Sequence, residues 1–207
     1  MKPLVALLLI SGPALAQAPA GAHLAPAAHA QSVLEFQARL NKEFKDPKES
    51  PLSDAERKKL QSLPFYPISY AHYVEARFVP DSVSLPFAMQ TSTERRPMYR
   101  KFGVLHFTLQ GQALQLSIYQ SQDLLKRPGL EDYLFLPFTD LSNGHGSYGG
   151  GRYIDLRLPP KGATTMQLDF NQAYNPSCAY SARYSCPVPP VENRLPVAIP
   201  AGVQHDH

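Results

Sequence analysis

From Tyr73 onward the chain is dominated by short segments in which apolar and polar side chains alternate, and that period of two admits few architectures. Val74, Ala76 and Phe78 alternate with Tyr73, Glu75 and Arg77, and Leu105, Phe107 and Leu109 alternate with Val104, His106 and Thr108. Successive side chains of a strand point to opposite faces, so each run reads as a half-buried strand. With Gln110-Gly111 as a two-residue turn, Phe107 faces Leu114 and Leu105 faces Leu116, and His106 falls opposite Gln115 on the polar side. YLFLPF (Tyr133 to Phe138) is apolar on both parities and reads as a strand buried on both faces, with Pro137 marking its end or a sheet edge.

Two later segments alternate as well. In RYIDLRL, Ile154, Leu156 and Leu158 oppose Tyr153, Asp155 and Arg157; in TMQLDFN, Met166, Leu168 and Phe170 oppose Gln167, Asp169 and Asn171. If the intervening PPKGAT is a hairpin turn, the register that joins the apolar sets also joins Tyr153, Asp155, Arg157, Gln167, Asp169 and Asn171 in one polar cluster. Two carboxylates beside an arginine and amides are equipped for acid-base chemistry or for orienting a polar ligand, and the same residues also describe a solvated sheet face. Arg152 shares parity with Ile154 and Leu156, so it points to the apolar side, where its guanidinium needs an acceptor: Asp140 or a ligand anion.

Ahead of the strands, Val33, Phe36, Leu40 and Phe44 recur at helical spacing from Ser32 until Pro47 ends the run. Ser53-Asp54-Ala55-Glu56 is a capping box that opens a second helix. Frequent strands separated by Gly, Pro and Asn turns define a mainly β fold, an antiparallel β-sandwich or partly open barrel with two N-terminal α-helices. The expected organisation is a signal peptide over residues 1–16, a disordered Ala/Pro-rich linker over 17–31, a single β-rich domain over 32–203 and a flexible tail over 204–207.

The signal peptide is read from Lys2, the apolar Leu4 to Ile10 and the small-residue Ala14-Leu15-Ala16 cleavage pattern. The apolar run is short of the ~20 residues a spanning helix needs, and no cysteine near the cleavage point is available to accept a lipid. A periplasmic or extracellular protein with no membrane span and no lipid anchor is expected. The formal net charge of +3 comes from interleaved acidic and basic residues. Even Arg95-Arg96-Pro97-Met98-Tyr99-Arg100-Lys101 lacks the breadth of a nucleic-acid-binding stripe.

Asn143 to Arg152 holds the densest glycines, in the form of a bulged hairpin connection or a loop that lets a ligand approach the backbone; without a Gly-Lys-Ser/Thr step it is not a phosphate-binding loop. Cys178 and Cys186 are the only cysteines. In an exported chain the even count favours a disulfide, with zinc ligation as the competitor. The histidines form no metal motif, and only His145, amid the glycines, has the setting of a site residue. No Gly-x-Ser-x-Gly elbow surrounds Ser147.

The segments GGGRY (Gly149 to Tyr153) with Asp155, DFN-x-AYNP-x-CAY (Asp169 to Tyr180) and CP-x-PP-x-x-N (Cys186 to Asn193) resemble an uncharacterised family of bacterial and archaeal domains of unknown function. The resemblance spans most of the mature domain and implies no established activity, cofactor or catalytic residue. It does imply an acidic residue near Gly146 and another after Ala201-Gly202, where this chain has Val203. The expected function is binding of a polar small molecule, a glycan or an envelope component through Arg152, Tyr153, Asp155, Asp169, Asn171, Tyr174 and Asn175. The alternative is a hydrolase using Asp155 and Asp169.

Overall fold

The computed structural model describes residues 23–205, so the signal-peptide reading lies outside the described residues. Helix α1 (Pro26–Lys45) and the short α2 (Asp54–Lys59) precede seven strands: β1 (Tyr73–Pro80), β2 (Phe87–Ala88), β3 (Met98–Leu109), β4 (Gln112–Ser121), β5 (Tyr133–Phe138), β6 (Arg152–Arg157) and β7 (Thr165–Asp169). They form one sheet in the order β6-β5-β4-β3-β1-β7, with β2 beside β3. The sheet is antiparallel and curls into a half-barrel, which resolves sandwich against open barrel in favour of the latter.

The β3-β4 hairpin has the register the sequence pattern dictates, Phe107 against Leu114, Leu105 against Leu116 and His106 against Gln115. Gln110 and Gly111 both adopt positive φ, 52° and 74°, as a two-residue turn that continues the strand twist requires. β5 is buried on both faces. Leu134, Leu136 and Phe138 belong to the barrel core, and Phe135 belongs to a second cluster with Tyr99, Tyr119, Tyr153 and Cys186. That outer cluster is covered by the segment carrying Tyr174, Cys178 and Tyr184.

Pro137 stands one residue before the end of β5, so it marks the strand's end but not a sheet edge, since β5 lies between β6 and β4. Pro137 pairs with Tyr153 inside the β5-β6 ladder, and the missing donor toward β4 is replaced by a side chain. The fully buried Asn193 donates to Pro137 O at 2.6 Å and Ser117 O at 2.8 Å, and accepts from Ser117 N at 2.7 Å. One amide thus stitches β4 to β5 where proline interrupts the ladder.

β6 and β7 are not a hairpin. β6 pairs with β5 over six positions and β7 with β1 over five, so they form opposite edges of the open barrel. Parity is blind to which neighbour a strand takes, and although the connection turns tightly, with Ala163 N donating to Pro160 O at 3.0 Å, the turn does not bring β6 and β7 into register. The edges face one another across a seam covered by α1, whose His29 and Ser32 join β6 and β7 residues around one cavity.

α1 begins at Pro26, six residues before the expected start, so the linker reading does not hold for residues 26–31. Proline is favoured in the first helical turn because its missing N–H costs nothing there. His29 then continues the face of Val33, Leu40 and Phe44, all buried. The capping box of α2 forms as read, Ser53 Oγ accepting from Glu56 N while Glu56 accepts from Ser53 N. Gln204 and His205 do not form a free tail: Gln204 N donates to Pro64 O at 2.9 Å and His205 N to Gly146 O at 3.1 Å.

Residues 194–203 complete the core. Leu195, Val197, Ile199, Ala201 and Val203 are buried at alternate positions, and the first four join the barrel cluster. Each of the larger side chains contributes about 1.5–3 kcal/mol by burial. Gly202 turns the end of this strap at φ 81°, where a Cβ would lie 2.4 Å from Ala173 O.

Candidate functional site

Arg152 points into the core, as its parity requires, and is fully buried. Its Nη2 donates to Asp140 Oδ2 at 2.7 Å, Ile199 O at 2.8 Å and Ser142 Oγ at 3.2 Å, and its Nη1 donates to Ala201 O. Asp140 Oδ1 meanwhile accepts from Ser142 N at 2.8 Å and Ile199 N at 3.1 Å. The guanidinium also lies 5.4 Å from the Phe138 ring centre. Of the two acceptors open to it, Arg152 takes the protein's own carboxylate together with strap carbonyls, so it anchors structure. Of the glycines before it, Gly151 sits at φ 94° with Phe138 O 2.7 Å from where a Cβ would stand. The close approach there is between the loop and β5.

Asp155, Arg157, Gln167 and Asp169 do meet, although their strands do not pair. They line a cavity of about 220 Å³ at the seam, together with His29 and Ser32 of α1, Tyr73 and Gln172. The two carboxylates have different surroundings. Asp169 is saturated: Oδ1 accepts from Asn171 N at 3.0 Å and Nδ2 at 2.7 Å, and Oδ2 contacts His29 Nε2 at 3.0 Å and accepts from Gln172 Nε2 at 3.2 Å. Asp155 Oδ1 accepts from the hydroxyls of Tyr133 and Tyr174, each at 2.7 Å. Its Oδ2 has no partner among the described residues. Asp155 keeps a solvent-facing edge, yet crowding by its neighbours pushes its carboxyl above the ordinary range. The tyrosine hydroxyls and the charges of Arg157 and Arg39 pull the other way.

The remaining expected site residues lie apart from this cavity. Asn171 is buried, holding Ser69 through its side chain at 2.8 and 2.9 Å. Tyr153 packs against Phe135 and donates to Pro187 O. Tyr174 belongs to the site only through Asp155, and Asn175 bridges Tyr180 and Gln204 O. Cys178 and Cys186 are close but not bonded in this structure, with Cys178 N 3.2 Å from Cys186 Sγ. Burial pushes the Cys186 thiol up to about 12, so it is not poised as a nucleophilic thiolate. Among the described residues no group of three or more His, Cys, Asp or Glu stands together to hold a metal ion.

His29 escaped the sequence reading, although stepping four residues back from Val33 along the helical period reaches it. Its ring stacks on Tyr73 with centroids 4.5 Å apart, and His23 stacks on Tyr73 at 4.3 Å. His145 is exposed on the loop. The positions where the resemblance implies carboxylates hold none. Val203 is fully buried beside Leu40 and Phe44, and the Tyr66 hydroxyl occupies the space next to Gly146, 2.4 Å from where a Cβ would stand.

A curled antiparallel half-barrel, tied through a buried arginine to its own C-terminal strap and carrying a polar cavity at its open seam, defines the class of domain. Residues 58–204 match the family described as Protein of unknown function (DUF1684), and the chain belongs to that family. It is also similar to an uncharacterized protein of Haloarcula marismortui known from a solution NMR structure, with 30% sequence identity and a TM-score of 0.68. That match covers 87% of this chain and 96% of the other. None of the curated proteins matches.

His72 is buried behind the seam with no hydrogen bond to either ring nitrogen. Burial chiefly, and then the charge of Arg152, hold its pKa below the ordinary imidazole range, while Asp140 and Asp169 oppose the shift. The unfolded chain therefore takes up this proton more readily than the folded one, and stability is lost as pH falls below about 6.5. Thermal melts at about pH 7.5 and about pH 5 should show a smaller acid-induced drop in His72→Leu than in the wild type. An equal drop in both would remove His72 as a cause.

Proposed function

We propose that this protein is an exported, non-catalytic binding domain that takes a small polar molecule at the seam cavity. The observation that carries this reading is the convergence of Asp155, Gln167, Asp169, Gln172 and His29 from both sheet edges and α1 on one cavity of about 220 Å³. Asp155 presents an oxygen there that has no partner among the described residues. A few convergent polar groups in a preformed concavity are what orients a small ligand. The hydrolase alternative draws less support, because an acid-base pair needs both carboxylates available and both oxygens of Asp169 are already occupied. Of the expected site residues, Asp155 carries the ligand contact in this reading, while Arg152 and Asn171 hold the frame.

Export rests on the sequence of residues 1–16, and a Cys178–Cys186 disulfide rests on that compartment and on the proximity of the two residues. Closing so short a loop contributes on the order of 2.5 kcal/mol. The intact mass of protein recovered from the periplasm or medium should begin at Gln17 and resist alkylation until reduced. A mass that retains the first sixteen residues, or two thiols alkylated without reductant, would contradict these assignments.

The binding reading is tested by protein NMR with a library of sugars, amino acids and small amines. A binder should shift the resonances of Gln167 and His29 in the wild type and fail to do so in Asp155→Asn, whose stability should change by under ~1 kcal/mol. Silence of the whole library at the seam, or undiminished binding by the variant, would sink the reading.

A further inference from the structure

Apart from the seam cavity, two larger concavities share part of their walls. One, about 610 Å³, is walled by Phe87, Met89, Val188, Pro189 and Val191; the other, about 640 Å³, by Leu141, Asn143, His145 and Pro196, and they share Thr139 and Arg194. Both volumes lie in the range of small-molecule sites, which runs from about 300 to about 1,000 Å³. The first wall is apolar and solvent-facing: Val188 is 39% exposed and Val191 84%. Such side chains, gathered along one groove, lose water contact only when something apolar lies on them.

The charges of the groove are unequal in their partners. Glu192 Oε1 accepts from Tyr119 Oη at 2.8 Å in the first concavity's wall. Asp140, at the edge of the second, is neutralised by Arg152 and accepts hydrogen bonds at both oxygens. Arg194 is exposed, lines both concavities, and its guanidinium has no hydrogen bond or ion pair among the described residues. A planar guanidinium is the side chain that best recognises a carboxylate.

We propose that this groove binds a single-chain amphiphile with a carboxylate head, such as a fatty acid. The acyl chain lies along Phe87, Val188 and Val191, and the carboxylate accepts from Arg194 on the Thr139 side, away from Glu192. Because Arg194 makes no side-chain bond among the described residues and Val191 is exposed, changing either leaves the fold intact.

Dodecanoate, titrated below its micelle concentration and followed by calorimetry and by the NMR shifts of Val188 and Val191, tests this. Saturable binding is expected, weakened about tenfold or more in Arg194→Gln, as loss of a charge-assisted hydrogen bond dictates. Val191→Asp should abolish it, and dodecyltrimethylammonium should not compete. Acetate alone should bind immeasurably. Absence of saturable binding, equal affinity in Arg194→Gln, or equal binding of the cationic amphiphile would overturn the proposal, the last by marking nonspecific adsorption to apolar surface.

Discussion

The Arg152–Asp140 pair is the constraint on which the rest depends. An arginine with no solvent exposure must find acceptors inside the protein, because a buried unpaired charge costs several kcal/mol. Here the acceptors are one carboxylate, the Ser142 hydroxyl and two strap carbonyls, Ile199 O and Ala201 O. The same carboxylate receives Ile199 N. The strap with Pro196 and Pro200 bonds to its neighbours only at intervals, Leu195 N to Thr139 O at 2.8 Å, Leu141 N to Val197 O at 3.0 Å and Val203 N to Ala173 O at 2.8 Å, and the charge pair holds Ile199 and Ala201 between them. With its backbone satisfied, the strap lays Leu195, Val197 and Ile199 into the open barrel and fills it.

Closing the barrel from inside leaves the outer seam to α1. His29 reaches Asp169 on the β7 edge, and Phe44 packs edge-on to Tyr180 with centroids 4.9 Å apart. The segment after β7 then crosses to the outer face and sets Tyr174 against Asp155. The seam cavity therefore exists because the half-barrel stops short of closure and a helix bridges the gap. Its two carboxylates come from residues far apart in pairing order, and the different loads they carry, four contacts against two, divide frame from free acceptor.

What was readable in the sequence was local or governed by parity. The β3-β4 hairpin followed from a turn and a pattern within a few residues, and the two-faced burial of YLFLPF and the inward direction of Arg152 followed from period two alone. Pairing between distant segments was not readable. The polar residues of β6 and β7 converge as parity suggested, but across a seam and not within a hairpin, since alternation names a face without naming a neighbour. Asn193 leaves no sequence trace of its task, because replacing a proline's missing ladder bond depends on where two other strands lie. The strap alternates from Leu195 to Val203, but its prolines argue against a strand. The helical start at Pro26 was masked by a composition that resembles a linker.

Native-state hydrogen exchange at Ile199 and Ala201 measures the central claim directly. If the buried charge pair makes strap and barrel one cooperative unit, these amides exchange with the same opening free energy as Leu116 and Leu105 in the sheet, and in Arg152→Met all four fall together. Exchange at Ile199 and Ala201 that is orders of magnitude faster than in the sheet of the wild-type protein would contradict it, showing a strap that opens on its own while the barrel stays folded.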